Sequence, residues 1–437
     1  MPSLYQLSLT SMLQALAQEE CSVDDIWRSC LEQTMRHDPV IHAWQQLAPV
    51  MEWDAPRGQA TVDAPLRGLP IGVKDTIDVL GLRAERGSRI WCGREPQADA
   101  SCISLLKGAG GCVLGKTVTT EFAFFTPGAT ANPHKLTHTP GGSSSGSAAA
   151  VAAGMVPFAL GSQTAASVIR PAAYCGVAGY VATVGAISLR GVMPLAHSLD
   201  ALGMLARNVA DLQLVHALLT RRSTDQEPVR TKPRAVLAVD GTAFGIVESE
   251  MRALYESALE QLVANGIRVD RRGDGLFAPD GGQAWIEWHR KLMAYEAAQT
   301  LAFEYLVRQD ALSPALQSLI QEGMGISGEQ YDALKVCRDA ALARFSLAMD
   351  QYDAVLSPAA PGAAPEGLDA TGRPDQSRAW QLLGAPQVTL PVGWNESNLP
   401  LGLQIVGRHR DDRSLMQIAR WLQDELGWCG RIPPAFN

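Results

Sequence analysis

The sequence predicts an α/β protein with a mixed central β-sheet sandwiched between helices and a helical excursion in its C-terminal half. Three observations predict it. Short apolar runs of strand length alternate with amphipathic stretches of helical period along most of the chain. Glycine and proline stand at most switches between the two. From about 280 to 350 the pattern is mostly helical.

Residues 1 to 60 read as helical and amphipathic. Leu9, Met12, Leu13 and Leu16 fall at i, i+3, i+4 and i+7, and Ser8 before them is the expected N-cap. LRGLPIGVKDTIDVLGL, from 66, is a strand-like run. ASCISLLKGAGGCVLGKTVT reads as helix, glycine stop, short strand and turn, and SAAAVAAGMVPFALGS as a tightly packed helix leading into a strand. Residues 185 to 217 give a strand and the helix RNVADLQLVHALLT, and the charged stretch from 218 to 235 is a surface loop. PRAVLAVD is a buried strand, followed by a helix over about 247–264 and GIRVD as a strand. YDAVLSPAAPGAAPEG is a strand and a Pro/Gly loop, APQVTLPVG and LPLGLQIVG are two more strands, and SLMQIARWLQDEL closes the chain as a helix. With no internal repeats, 1–437 reads as a single domain. Its parts are an N-terminal helical segment (1–60), a core (61–217), a mostly helical substrate-side region (about 236–350) and the remainder of the sheet with the closing helix (351–437).

Hydrophobic residues make up 46% of the chain, enough for a large core and too many for a disordered one. The balance of 37 basic against 45 acidic residues, a net of -8, argues against nucleic acid as the main partner, since phosphate binding needs a clustered basic face. The first residues carry no basic n-region and no cleavage site, and the longest apolar stretch is broken by Gly154 and Pro157. We therefore expect a cytoplasmic protein with no membrane span. The eight cysteines form no CxxC pair, so they read as reduced, mostly buried thiols. His134 and His138 lie at i, i+4, but Pro140 follows and no helix presents them together, so no metal site is expected.

Two places carry chemistry. Residues 141–150, GGSSSGSAAA, are either a flexible linker or a catalytic loop. Ser167, in GSQTAASVIRP, follows an apolar strand and sits among small residues. Such a stretch lets a substrate carbonyl approach backbone N–H groups closely, or simply buries a serine at a helix start. A serine nucleophile needs a base. His197, in LAHSLD, is the best histidine but has no distinctive partner. Lys74, at the end of LPIGVK, is the alternative. It would have to lose about 3 pKa units, roughly 4–5 kcal/mol, through burial. Otherwise it is an ion pair with a neighbouring aspartate.

PLRGLPIGVKDTID, GKTVTTEFAF, TPGGSSSGSAAAVAAGMVPFALGSQTAASVIRPAAYCGVAGY, SLDALGMLARNVADLQLV and GAPQVTLPVGWNESNLPLGLQIVG occur in the order and spacing of the amidase signature family. The chain resembles that family from about residue 5 to 432. The resemblance implies the amidase signature fold and a Ser–Ser–Lys triad. Ser167 falls on the nucleophile, Ser143 on the bridging serine and Lys74 on the general base. It implies a cis peptide near Gly142, Ser143 and Ser144, and an oxyanion hole from the N–H groups of Thr164, Ala165, Ala166 and Ser167. Ser144 and Ser145 are then expected to bond Lys74 or the loop backbone, and Ser147 to cap the helix. The implied chemistry is acyl transfer with no metal or organic cofactor.

Three departures from the family pattern stand out. QTAAS replaces the common DTGGS, so two alanines occupy glycine positions; these are costly if φ is positive there and otherwise narrow the pocket. SVIRP places Arg170 three residues after the serine, as in a subgroup resembling malonamidase and biuret-type amidohydrolases. There this arginine holds a substrate carboxylate, a task suited to its fork, although a structural pairing is open too. GYVATVG lacks the usual lysine and proline. Asp200, Arg207 and Glu121 read as members of structural pairs. Specificity is expected from about 280–350 and from SPAAPGAAPEG, with Trp285, Trp288 and Tyr295 able to line a pocket or to be core.

The leading reading is thus a cofactor-free amidohydrolase for a small-molecule amide. A carbamate, urethane or biuret-type hydrolase with the same triad is a variant. A glutaminase subunit of a tRNA-dependent amidotransferase is a second class, against which the lost lysine and proline and the short chain count. A non-catalytic scaffold is a third, opposed by the intact Lys74, Ser143 and Ser167. A homodimer is expected, and a small accessory subunit is compatible with the resemblance.

Overall fold

The computed structural model describes residues 3–49, 64–223 and 229–433. The end of the expected helical segment, over 50–60, lies outside the described residues. The strands are β1 (Trp44–Leu47), β2 (Pro70–Lys74), β3 (Cys112–Thr117), β4 (Phe158–Gln163), β5 (Ala178–Val181), β6 (Ala201–Ala206), β7 (Ala235–Ala238), β8 (Arg268–Asp270), β9 (Ala354–Pro358), β10 (Gln387–Trp394) and β11 (Pro400–Val406). They form one mixed sheet in the order β1-β3-β2-β4-β6-β5-β10-β11-β9-β7-β8. β2 runs parallel to both β3 and β4, whereas β4, β6, β5, β10, β11 and β9 pair antiparallel in turn. Most strands are buried along their whole length, which is why they read as continuous apolar runs rather than alternating ones.

Helices cover both faces. They are α1 (Leu9–Ala17), α2 (Val23–Ile41), α3 (Ser101–Gly108), α4 (Ser145–Ala152), α5 (Ile169–Cys175), α6 (Val209–Leu219), α7 (Ser249–Ala264), α8 (Gly282–Thr300), α9 (Ala302–Arg308), α10 (Pro314–Met324), α11 (Gly328–Ala348), α12 (Asp375–Leu382) and α13 (Asp412–Leu426). Ser8 caps α1 by accepting the Ser11 N–H. The helical excursion is α8–α11, with α8 packed against α10, α11 and α12. Among the described residues no helix is long and apolar enough to cross a membrane.

Several elements differ from expectation. The N-terminal segment is not purely helical: β1 follows α2 and pairs antiparallel with β3. The strand expected across LRGLPIGVKDTIDVLGL stops at Lys74, where the chain turns and the Ile77 N–H donates to Lys74 O at 2.9 Å. β5, α5 and α12 go beyond the expected elements; each is 8 residues or shorter and buried on all sides but for Asp375 at the start of α12, so neither a period of 2 nor of 3.6 shows. The GYVATVG segment ends β5, and its Thr183 donates through both N–H and Oγ1 to Asp412 at the start of α13.

All eight residues of α4 are buried, and the small side chains of SGSAAAVA allow that. Gly146 marks the closest approach. A Cβ there would stand 2.1 Å from Ala43 O and 2.4 Å from Val118 N, both backbone atoms that cannot swing aside. Gly146→Ala is expected to lower stability by about 1–3 kcal/mol or more, as overpacking does. Thermal unfolding of the variant checks it, and an unchanged melting temperature contradicts this packing.

Candidate active site

Because β2 and β4 are parallel, their C-terminal ends open in one direction, and the loops beyond them converge. Lys74 is the last residue of β2. The turn between β4 and α5 carries Thr164 to Ser167. The loop before α4 carries Ser143, and its Gly142–Ser143 peptide is cis. Backbone bonds tie the loops together. Ser144 N–H donates to Ser167 O at 3.1 Å and Thr120 N–H to Ser143 O at 3.3 Å.

Lys74 is fully buried. Its Nζ lies 2.7 Å from Ser143 Oγ, 3.0 Å from Ser162 Oγ and 3.2 Å from Ser162 O. Burial pushes its ammonium down to about 7, with Asp200 the anionic group that opposes the shift. The neighbouring aspartate does not rescue it. Asp75 pairs instead with Lys116 at 3.0 Å, both side chains being buried. In a strand, successive side chains face opposite ways, so 74 and 75 belong to different environments.

Ser143 and Ser167 line the same pocket, about 330 Å³ of empty space opening to solvent, together with Thr164, Ala165, Ala166 and Arg170. Neither Ala165 nor Ala166 has a positive φ, so the two alanines need no left-handed backbone and their methyls narrow the pocket floor. The N–H groups of Ala165, Ala166 and Ser167 donate to no acceptor among the described residues. Gln163, where the family's common form has aspartate, accepts the Val168 and Ile169 N–H groups at 2.9 and 3.1 Å and so caps α5. Its own amide donates to Gln381. A neutral cap with a hydrogen to give suits that partner, where a carboxylate would not.

Several expected roles need correction. Ser144 and Ser145, expected on Lys74 or their own loop backbone, bond backbone of other segments: their hydroxyls donate to Ser162 O (3.5 Å) and Val118 O (3.3 Å). Ser162 takes the place beside the lysine. Ser147 is not a cap but lies inside α4, bonded to Thr117 and Leu160 O, and Ser144 is the N-cap residue. Asp200 and Arg207 form no ion pairs among the described residues. Asp200 accepts from Thr164 Oγ1 (2.6 Å) and from the Leu195 and Ala196 N–H groups, and Arg207 donates to Tyr5 O. Glu121 accepts the Ser313 N–H and lies in a separate, larger cleft that contains neither Lys74, Ser143 nor Ser167. Exposed His197 meets Glu296 at 3.3 Å, away from both serines.

Most of the remaining wall is apolar: Ala123, Phe124, Phe125, Leu195, Met293 and Pro374. Of the expected aromatics, Trp285 is core and Tyr295 stacks on Tyr331 at 4.2 Å. α8 reaches the pocket through Met293, and Thr371 and Pro374 line it instead of the SPAAPGAAPEG loop. His134 bonds Cys175 O, and no three metal-ligating side chains come together among the described residues.

Arg170 is buried at the pocket edge. Its Nη atoms donate to Gly372 O (2.6 Å), Gly142 O (2.7 Å) and Thr371 Oγ1 (3.0 Å), while Nε has no partner among the described residues. No carboxylate among the described residues lies within ion-pair distance of it, and burial pulls its pKa down to about 10.

Comparison with known proteins gives the family and the fold. The sequence profile of the family described as Amidase matches residues 25–416. A relative from Halalkalibacterium halodurans, named as the A-type subunit of glutamyl-tRNA(Gln) amidotransferase, is 31% identical, the alignment covering 99% of each chain. Among solved structures, native peptide amidase from Stenotrophomonas maltophilia superposes with a TM-score of 0.80 at 26% identity, covering 99% of both chains. A structure reported as an unexpected vestigial protein complex, bearing on the origins of an s-triazine catabolic enzyme, superposes at 0.85 with 25% identity, covering 98% of this chain and 100% of the other.

Proposed function

The chain belongs to the amidase family, and from that premise we propose that it hydrolyses a small amide through an acyl-enzyme on Ser167. The observation that carries the reading is the buried Lys74 amine, 2.7 Å from Ser143 Oγ at a pocket that also holds Ser167. As a neutral amine, Nζ has two hydrogens and one lone pair. Ser162 O accepts one hydrogen and Ser162 Oγ the other, which leaves the lone pair for the Ser143 hydroxyl. Ser143 passes its proton to Lys74 while taking one from Ser167, and Ser167 Oγ bonds to the amide carbon. The N–H groups of Ala165, Ala166 and Ser167 receive the oxyanion. As the C–N bond breaks, the proton returns from Lys74 through Ser143 to the leaving nitrogen. Water then repeats the sequence on the ester, releasing the acid and restoring Ser167.

The substrate end remote from the scissile bond is an anionic group held by Arg170. A largely apolar pocket presents one buried cation without a carboxylate partner among the described residues, and desolvated charge favours an anion. The test is an initial-rate panel of short amides bearing a carboxylate against neutral aryl amides and aryl carbamates. Acidic amides are expected to be preferred. In Arg170→Gln that preference falls about 10- to 100-fold, the worth of a hydrogen bond to a charged group. Because Arg170 also fastens Gly142, some loss on every substrate is expected. An equal loss on acidic and neutral compounds would make the arginine purely structural and move the reading to neutral amides or carbamates.

The amidotransferase relatives favour a second reading, a glutaminase that works with partner chains. Glutamine is itself a small amide bearing a carboxylate, so the pocket serves both readings. Ammonia release from glutamine that appears only when the chain is co-purified with partner chains supports the second. Turnover of acidic amides by the isolated chain supports the first.

A further inference from the structure

His289 stands on α8, outside the segments that carry the nucleophile and base, and is completely buried. Its Nε2 lies 2.8 Å from Thr164 O and its Nδ1 lies 3.1 Å from Arg378 Nη1 on α12. A guanidinium only donates hydrogen bonds. Nδ1 therefore accepts from Arg378, and Nε2 carries the ring hydrogen and donates to Thr164 O. Burial, reinforced by the Arg378 charge, holds the imidazolium pKa down to about 3, so the ring stays neutral in this one tautomer.

The acceptor matters. In a planar trans peptide the carbonyl and the following N–H point in opposite directions. With Thr164 O facing the His289 ring, the Ala165 N–H points away from that ring, and Ala165 lines the pocket that holds Ser167. The same residue is held on its other side, where Thr164 Oγ1 donates to Asp200 at 2.6 Å. Arg378 has no carboxylate within ion-pair distance among the described residues, and its Nη1 bond to the ring begins the chain guanidinium–imidazole–peptide. Such chains polarise each member and make the terminal N–H a better donor. A core histidine kept for packing would be satisfied by any carbonyl. This one meets the carbonyl of the peptide that supplies an oxyanion donor.

We propose that His289, oriented by Arg378, is a positioning residue that fixes the 164–165 peptide so that the Ala165 N–H serves the oxyanion hole. The proposal rests on the acyl-transfer reading above. It is tested with His289→Phe, which keeps a ring but no donor, and His289→Gln, whose amide can accept from Arg378 and donate to Thr164 O. The readouts are kcat, KM, and inhibition by an aryl trifluoromethyl ketone, whose hemiketal oxygen occupies the oxyanion site. His289→Phe is expected to lower kcat about 10- to 100-fold, somewhat less than outright loss of a donor, with KM changed by less than about 3-fold. Inhibition weakens in parallel, and His289→Gln recovers most of both. Should His289→Phe fail to fold, His289→Phe/Arg378→Met removes ring donor and cation together and carries the same expectation. A folded variant with wild-type kcat and inhibition overturns the proposal, as does His289→Gln behaving no better than His289→Phe. Reaction of the wild type, but not Ser167→Ala, with a fluorophosphonate separates the two levels. If the wild type neither reacts nor turns over, the acyl-transfer reading itself fails.

Discussion

Ser167→Ala is expected to reduce turnover of the preferred amide by about 10⁴-fold or more, with substrate binding nearly intact. The reason is that the alanine leaves the pocket, the three backbone N–H groups and Arg170 in place and removes only the attacking oxygen. Ser143→Ala interrupts the one pocket-lining hydroxyl, among the described residues, that lies within hydrogen-bond distance of Lys74 Nζ, at 2.7 Å. It is expected to approach the same loss. The double variant should be little worse than either, since groups that act as a unit do not add. Initial rates and mass detection of an acyl adduct on Ser167 check this. Ser167→Ala retaining more than about 1% of the activity, against the 10⁴-fold loss expected of a nucleophile, would remove that role from this position. A collapse of activity in His197→Ala would instead take the base role from Lys74.

How much of this is legible in the sequence follows from how far apart the interacting residues lie. Lys74, Ser143 and Ser167 each sit inside a stretch whose local composition is unusual: a lysine ending an apolar strand, a serine run between glycines and alanines, a serine among small residues. Such stretches announce themselves. The partners that make them work do not. Ser162 reaches Lys74 across 88 residues, through the parallel pairing of β2 with β4, and a lone serine near a strand end carries no signal of that pairing. His289 meets Thr164 across 125 residues and Arg378 across 89. In the sequence, His289 is one polar residue in an amphipathic helix next to the more conspicuous Trp285 and Trp288.

The same logic explains where expectation and structure part. Ser147 reads as a cap because serine before an alanine run usually is one, yet the helix begins two residues earlier and Ser147 is spent on Leu160 O. The aromatics of α8 read equally as pocket lining or as core, and the helix decides it by turning Trp285 into the core and offering Met293 to the site. Capped helices such as α1 and α13 are plain in the sequence, because their period repeats over enough residues. The short and almost wholly buried β5, α5 and α12 have no face to reveal, so only tertiary packing defines them.

Lys74 links activity to stability with opposite signs. Its folded pKa of about 7 lies well below the value near 10.4 of an unfolded lysine. Only the amine form takes the Ser143 proton. kcat/KM is therefore expected to rise about tenfold per pH unit below about 7 and to level off above it, while Lys74→Arg stays charged and inactive throughout. For stability, the unfolded chain binds the proton more tightly, so between about pH 7 and 10 this residue's burden on folding shrinks as pH rises. Near neutrality that burden is about 4–5 kcal/mol. Lys74→Met removes it but leaves Ser143 Oγ, Ser162 Oγ and Ser162 O without their partner, at about 1 kcal/mol each. The net expectation is an inactive variant more stable by about 1–2 kcal/mol at about pH 6–7, with the gain fading by about pH 9. Paired thermal unfolding and rate profiles across that range test both halves. A rate limb centred above about pH 9, or a Lys74→Met variant that melts lower than the wild type at about pH 6, would mean that the lysine is held as a cation and that the base lies elsewhere.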